Sequence, residues 1–445
     1  MAILILEPDV DDRAQASIQE SAARHAELHA LYEQLTAYHA RTATSLAEAK
    51  LASIDEEKGV EVEITVGCQS FVHYPHCQHL IYHARRLTLQ NPETLPSLPF
   101  VRKLRILHGS GPVQDFHFSR VRPVSLRVPL ECLVHLPGVV EIDLPWLWEW
   151  LPVPAAGRPI RHFTREEMLG LRIPATLTKA RLWFWQRRLS CDDDQALAMP
   201  DLVAPAKQDP LSVGLCVLAA QLQELDLRAF VTEHLFPVPD AEPSAQWSRM
   251  RRLTVEFHPL RPDGSWYFVG PRGEDPHPEG FVISEADHYP PLQTTAEDEE
   301  IDEQWDEDPQ GGEEVDYFPD VFRTEPLAGR IEPLLSAFAS AVKNMGTIED
   351  VQLFAYLAWY PSESRSDEYG GEAPYDCENG VHRWGVRYLA GGNGDEGQVQ
   401  AVVQWQVGDW RPSHSVLGLF EDLGRQEWLD FEFEDERNIK PHTVA

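Results

Sequence analysis

Cysteine is scarce in this chain, with six in 445 residues (Cys68, Cys77, Cys132, Cys191, Cys216 and Cys377) at no regular spacing. That excludes a disulfide framework, and Cys132 and Cys216, inside apolar helical patterns, are expected to be reduced. Basic residues are also few. Lys and Arg number 38 against 72 Asp and Glu, a net charge of −34. The summed field repels phosphate backbones and anionic lipid, so neither nucleic acid nor a membrane is an expected partner. No apolar run reaches the ~20 residues of a bilayer span; the longest, Pro210 to Leu222, falls short. Met1 to Leu6 is apolar but has no basic flank and is followed by Glu7, Asp9, Asp11 and Asp12, unlike a secretory signal. The expectation is a cytoplasmic or nuclear protein.

Catalytic signatures are lacking too. No G-x-S-x-G nucleophile elbow exists, and His108-Gly109-Ser110-Gly111 reads as a turn after a strand. Gly392, Gly394 and Gly397 fit G-x-G-x-x-G, but Val399, Val402, Val403 and Trp405 continue as a strand where a phosphate site needs a helix N-terminus. Carboxylates are too abundant to single out an acid–base pair. Neither an enzyme nor a cofactor is expected. Metal-ligand residue types cluster from Cys68 to His83, yet their spacing fits no zinc pattern. No metal is assigned, with His73, His76, Cys77 and His79 as the weak candidates.

What the chain does have is a recurring pattern. Apolar residues fall at positions 1, 4, 7 and 9 of a nine-residue window. The copies are Ile81-Ala84-Leu87-Leu89, Leu98-Val101-Leu104-Ile106, Leu136-Val139-Ile142-Leu144, Pro174-Leu177-Ala180-Leu182, Ala219-Leu222-Leu225-Leu227, Trp247-Met250-Leu253-Val255 and Met345-Ile348-Val351-Leu353. The first half has helical or turn spacing, and the last two slots alternate as in a strand. Each copy therefore reads as a helix running through a bend into a short strand. One unit cannot bury its own apolar side, but stacked units share a core. The expected fold is α/β: a degenerate leucine-rich-repeat-like solenoid of helix–strand units with a concave parallel sheet.

The residue between the last two slots is always polar: Thr88, Arg105, Asp143, Arg181, Asp226, Thr254 and Gln352. Strand alternation puts these on the face opposite the core. With Trp183, of the Trp183-Phe184-Trp185 run, they form the expected partner-binding face, because partner hot spots favour Trp. Trp146, Trp148 and Trp150 alternate in the same way.

Residues 1–58 are expected to be an N-terminal helical segment, from the Pro- and Gly-free stretch Asp11 to Ile54. The solenoid spans 59–425, interrupted by a Pro-, Gly- and acid-rich insertion at 262–326. Twelve of the twenty residues from Glu297 to Asp316 are acidic, which predicts a disordered block, either solvating or attractive to a basic partner. Trp384 to Leu389 and Val399 to Val407 read as two strands joined by a glycine-rich loop, a helix follows around Val416 to Leu423, and 426–445 is an acidic tail.

The run His83-Ala84-Arg85-Arg86-Leu87-Thr88-Leu89, the helix-to-strand stretch Pro129 to Leu144, and Gly408-Asp409-Trp410-Arg411-Pro412 with Val416, Leu417, Leu419 and Phe420 carry a family likeness. From about Tyr74 to Leu423 the chain resembles fungal proteins of unknown function with F-box-like and leucine-rich-repeat character. The F-box itself is not visible: residues 11–54 lack its Leu-Pro-x-Glu start, which Pro129-Leu130-Glu131 only echoes. The resemblance implies a curved stack that binds an unknown protein partner. It also implies an alternative: a substrate receptor of a cullin-type ubiquitin ligase, with the ligase adaptor as partner.

Overall fold

A computed structural model describes residues 2–6, 60–66, 95, 97–108, 127–145, 173–185, 194–238, 246–283, 320–369, 381–394, 397–431 and 433–434. The chain is a mixed α/β fold in two compact units. One comprises Met1–Ile160, Leu169–Phe184 and Ser284–Val315; the other comprises Arg161–Met168, Trp185–Ile283 and Asp316–Ala445.

The first unit holds β1 (Ala2–Leu6), β2 (Val60–Val66), β3 (Val101–His108), α1 (Arg127–Val134), β4 (Glu141–Leu144) and β5 (Lys179–Trp183). Its strands pair in chain order, all parallel. Two strands differ from the sequence expectation. Ala2–Leu6 begins the supposedly helical segment as an Ile- and Leu-rich strand, and β2 alternates Val60, Val62, Ile64 and Val66 with Glu61, Glu63 and Thr65. The helix expected over Asp11 to Ile54 lies outside the described residues.

Ahead of β4, α1 buries Val128, Leu130, Cys132 and Leu133. The chain then bends: the carbonyl of Leu136 accepts from the N–H of Val139 at 3.0 Å. Leu98 with Val101 (3.3 Å) and Pro174 with Leu177 (3.0 Å) close the same bend before β3 and β5. The bends also bond to one another, Val140 N–H to the Arg102 carbonyl (2.8 Å) and Thr178 N–H to the Val140 carbonyl (2.9 Å). Copies consequently stack slot on slot. Leu104, Ile142 and Ala180 are register neighbours and buried, as are Leu144 and Leu182.

The second unit holds α2 (Pro210–Ala219), β6 (Glu224–Ala229), β7 (Arg252–Phe257), α3 (Ala328–Asn344), β8 (Asp350–Ala358), α4 (Glu363–Tyr369), β9 (Val381–Leu389), β10 (Val402–Gln406), α5 (His414–Glu421) and β11 (Arg425–Trp428). α2 starts where Pro210 fits a first-turn position and Asp209 caps it, its carboxylate accepting from the N–H (3.1 Å) and hydroxyl (2.5 Å) of Ser212. The same bend recurs at Ala219–Leu222 (3.0 Å) and Trp247–Met250 (3.1 Å). β6, β7 and β8 are parallel.

Beyond β8 the expected parallel order ends. β9 is antiparallel to both β8 and β10, and β11 is parallel to β10. β9 and β10 are joined through a small hairpin of Gly392–Gly394 with Gly397–Val399, too short for the crossover that parallel strands need. The buried row Leu227, Val255, Leu353, Val386 and Trp405 runs across five strands. Helices cover this side: Phe420 of α5 meets Trp405 at 4.6 Å and Phe338 of α3 at 6.2 Å between ring centroids.

The expected insertion at 262–326 is too wide at both ends. Trp266, Tyr267, Phe268 and Phe322 are fully buried, and Phe268–Val269 pairs with Glu325–Pro326. The Tyr267 hydroxyl donates to the Val231 carbonyl at 2.8 Å, and Phe268 lies edge-on to Trp384 at 5.1 Å. Three consecutive aromatics supply apolar area that offsets the ordering cost of their Pro- and Gly-rich surroundings. The acidic block Glu297 to Asp316 lies outside the described residues.

Candidate functional site

In each unit, the strand face opposite the buried aliphatic row carries the sequence-predicted polar residues. In the first unit, Arg105, Asp143 and Arg181 sit on adjacent strands in direct register. They are not free. Arg181 grips Asp143 with two bonds of 2.6 Å, Arg105 reaches Asp143 at 3.1 Å, and Arg105 also bonds Glu61 at 3.2 Å. The Asp143 side chain is 5% exposed, against 13% for Arg105 and 25% for Arg181. The guanidinium of Arg181 also lies 4.9 Å from the ring centroid of Trp183.

A second row runs beside the first: Glu61, Lys103, Glu141 and Lys179 are register neighbours of alternating sign, with Lys103 bonded to Glu141 at 2.6 Å. Opposite charges directly across neighbouring strands stabilise a sheet by about 0.2–1 kcal/mol per pair, and like charges would repel. The face is thus a self-neutralised charge ladder.

In the second unit the polar row is longer. Asp226, Thr254, Gln352, Arg387, Gln404 and Glu427 are successive register neighbours across six strands. The Gln352 amide donates to Thr254 Oγ1 (3.0 Å) and accepts from Arg383 (2.6 Å), while Arg387 holds Asp350 with two bonds of 2.9 and 2.6 Å. Hydrogen bonds from Gln404 and Arg425 keep the Glu427 carboxyl below its ordinary pKa. Nearer the strand C-termini, Arg228 and Glu256 form a buried pair at 3.2 Å, with Arg228 5.3 Å from the Trp185 ring and Arg383 4.0 Å from the Phe354 ring.

Of the expected face, Arg105, Asp143, Arg181 and Trp183 come together in one unit, and Asp226, Thr254 and Gln352 in the other. Thr88 and the metal candidates His73, His76, Cys77 and His79 lie outside the described residues. Among the described residues no group of three or more His, Cys, Asp or Glu could hold a metal, and no helix is long and apolar enough to cross a membrane.

A different charged cluster, missed in the sequence, closes the base of the acidic segment within the second unit. Arg323, fully buried, bonds Asp275 at 2.6 Å, and Arg330 reaches the same carboxylate at 3.1 Å. Burial among apolar neighbours lowers the Arg323 pKa against the pull of Asp275. Gln195 Oε1 accepts from the N–H groups of Phe322 (2.7 Å) and Arg323 (2.6 Å). Arg365 pairs with Asp320 at 3.1 Å and also with Glu274. Residues 274–275 and 320–323 are thereby held together, whatever runs between them. The interrupted composition around Pro276, Pro278 and Gly280 hides this; only the isolated Arg323 and Arg330 hint at it.

No family model, no curated protein and no solved structure matches the chain.

Proposed function

We propose that this chain is a non-catalytic scaffold, a degenerate leucine-rich-repeat-like solenoid that recognises a protein partner with its polar sheet face. The observation that carries the reading is the stacking of copies slot on slot, which gathers residues far apart in sequence into continuous polar rows. Such rows present side chains on rigid strands at a spacing of about 4.8 Å, a pre-organised surface that loses little entropy on binding. Trp183, Trp185 and Phe354 supply aromatic area beside the charged groups, the composition that binding hot spots favour. The partner's surface is then polar and of mixed charge.

A photo-crosslinking residue placed at Thr254 or Gln352, in the polar row of the second unit, should capture the same protein from the source cells. The same residue at Lys343 or Asn344, exposed on α3, should not. Equal capture from both sets, or from neither, would reject the face as the binding surface.

A further inference from the structure

β11 is an edge strand. It pairs with β10 along one side, and among the described residues no strand pairs with its other side. The N–H groups of Arg425 and Leu429 donate inward, to the carbonyls of Ala401 (2.9 Å) and Trp405 (2.8 Å). Backbone groups alternate in direction along such a strand, so the N–H and C=O of Gln426 and Trp428 point to the open side. Unpaired edge groups of this kind are a template for one more strand.

The side chains at this edge are held in place. Trp428 stacks on its register neighbour Trp405, with ring centroids 5.4 Å apart, and the Arg411 guanidinium lies 4.0 Å from the Trp428 ring centroid. Arg411 is itself bonded to the carbonyls of Gly408 (2.6 Å) and Trp410 (2.7 Å). Gln426 is tied to the Phe420 and Gly424 carbonyls, both at 2.8 Å, and accepts from Trp405 Nε1 at 2.7 Å. On the other face Arg425 pairs with Glu427, which also accepts from Gln404 at 3.1 Å. Trp428 and Leu429 are nevertheless 39% and 40% exposed, an apolar surface beside the open backbone groups.

We propose that β11 pairs antiparallel with β11 of a second copy of this chain, across a two-fold axis at Gln426. The run Arg425-Gln426-Glu427 is self-complementary in charge when read in opposite directions. In that register Gln426 exchanges backbone bonds with Gln426 of the second copy, and each Arg425 faces a Glu427, giving two opposite-charge pairs. A slip that moves the axis to Glu427 would instead set the two Glu427 carboxylates against each other at the closest cross-strand spacing. The polar row that ends at Glu427 then continues into Arg425 of the second copy, and Trp428 and Leu429 gain cover. The contact is isologous, so association stops at two chains. A four-residue strand buries less than the ~1,200 Å² of a stable interface, so the dimer is transient. The pairing needs only this edge, and it stands or falls independently of partner recognition by the polar face.

Sedimentation velocity of the full-length chain over a concentration series reads the association. A salt concentration of about 0.15 M screens charges beyond about 8 Å and so suppresses the mutual repulsion of chains with net charge −34. A monomer–dimer equilibrium is expected. Glu427→Arg sets arginine against arginine and should weaken dimerisation about tenfold or more. The double variant Arg425→Glu/Glu427→Arg restores the opposite pairs in the same register and should recover wild-type association. Hydrogen exchange locates the contact: the peptide over β11 should gain protection with concentration in the wild type and the double variant, and not in Glu427→Arg. Melting temperatures report whether each variant is folded; should Glu427→Arg unfold, Arg425→Glu makes the same test by setting glutamate against glutamate. A chain that stays monomeric at every concentration would overturn the proposal. So would a Glu427→Arg protein that dimerises as the wild type does, or a folded double variant that fails to recover association.

Discussion

Replacing Asp143 by Ala separates a structural ladder from a row of free recognition residues. Asp143 accepts three charge-assisted bonds, two from Arg181 and one from Arg105. Breaking a buried ion pair by removing one partner costs about 3–5 kcal/mol, because the other charge stays behind unpaired. Arg105 and Arg181 are partly exposed and can turn towards water, which reduces the cost to about 2–3 kcal/mol. At about 2–4 °C per kcal/mol for a unit of this size, the first unit should melt about 4–12 °C lower. Circular dichroism in a urea or thermal series reads the change. Lys103→Met, at the more exposed pair with Glu141, is the control and should cost under about 1 kcal/mol. An Asp143→Ala protein within about 0.5 kcal/mol of wild type would show that the ladder contributes nothing to the fold, contrary to its geometry.

The clamp at the base of the acidic segment should behave asymmetrically. Asp275→Asn leaves the Arg323 guanidinium buried and uncompensated and should cost about 3 kcal/mol in urea unfolding; Arg323→Met, which leaves Asp275 paired to Arg330, should cost less. Equal losses in the two variants would contradict this. Gly385 faces Phe354 across β8 and β9, and a Cβ there would press on the Leu353 carbonyl and the Phe354 backbone and side chain. Gly385→Ala should therefore destabilise the second unit by about 1–3 kcal/mol, an overpacking effect that vanishes if the melting curve is unchanged. Cys216 on α2 is a free thiol, so a thiol reagent should label it in urea without prior reduction; labelling of Cys216 only after reduction would show a disulfide.

The strands that six of the seven repeat copies mark were legible because period-two alternation is a local signal; the copy Ile81-Ala84-Leu87-Leu89 lies outside the described residues. Ile142 with Leu144 and Leu253 with Val255 are buried as their spacing requires. β2 carried the same signal in Val60-Glu61-Val62-Glu63-Ile64-Thr65-Val66, but without the preceding bend residues it did not fit the nine-residue pattern. The buried Trp266-Tyr267-Phe268 was obscured by averaging composition over a window dominated by acid and proline.

The polar row was legible as residues but not as chemistry. An alternating polar residue reads as solvated until its neighbour one copy away is known. Arg105 and Asp143, and then Asp143 and Arg181, are each 38 residues apart. A charge that reverses sign at a constant interval was the available clue that these side chains meet. The antiparallel strands of the second unit were partly visible, since the glycine-rich loop before Val399 already suggested a hairpin.

The central claim is that the polar sheet face binds a protein partner. Its most direct measurement compares the affinity of the captured partner for wild type and for a Thr254→Lys variant, with the melting temperature of both. Thr254 sits mid-row and half-buried, so a lysine there adds a charge and a long side chain to the face without touching the apolar core. The account predicts binding weakened by at least about tenfold, equivalent to about 1.4 kcal/mol, at a melting temperature within about 2 °C of wild type. Unchanged affinity at unchanged stability would contradict it.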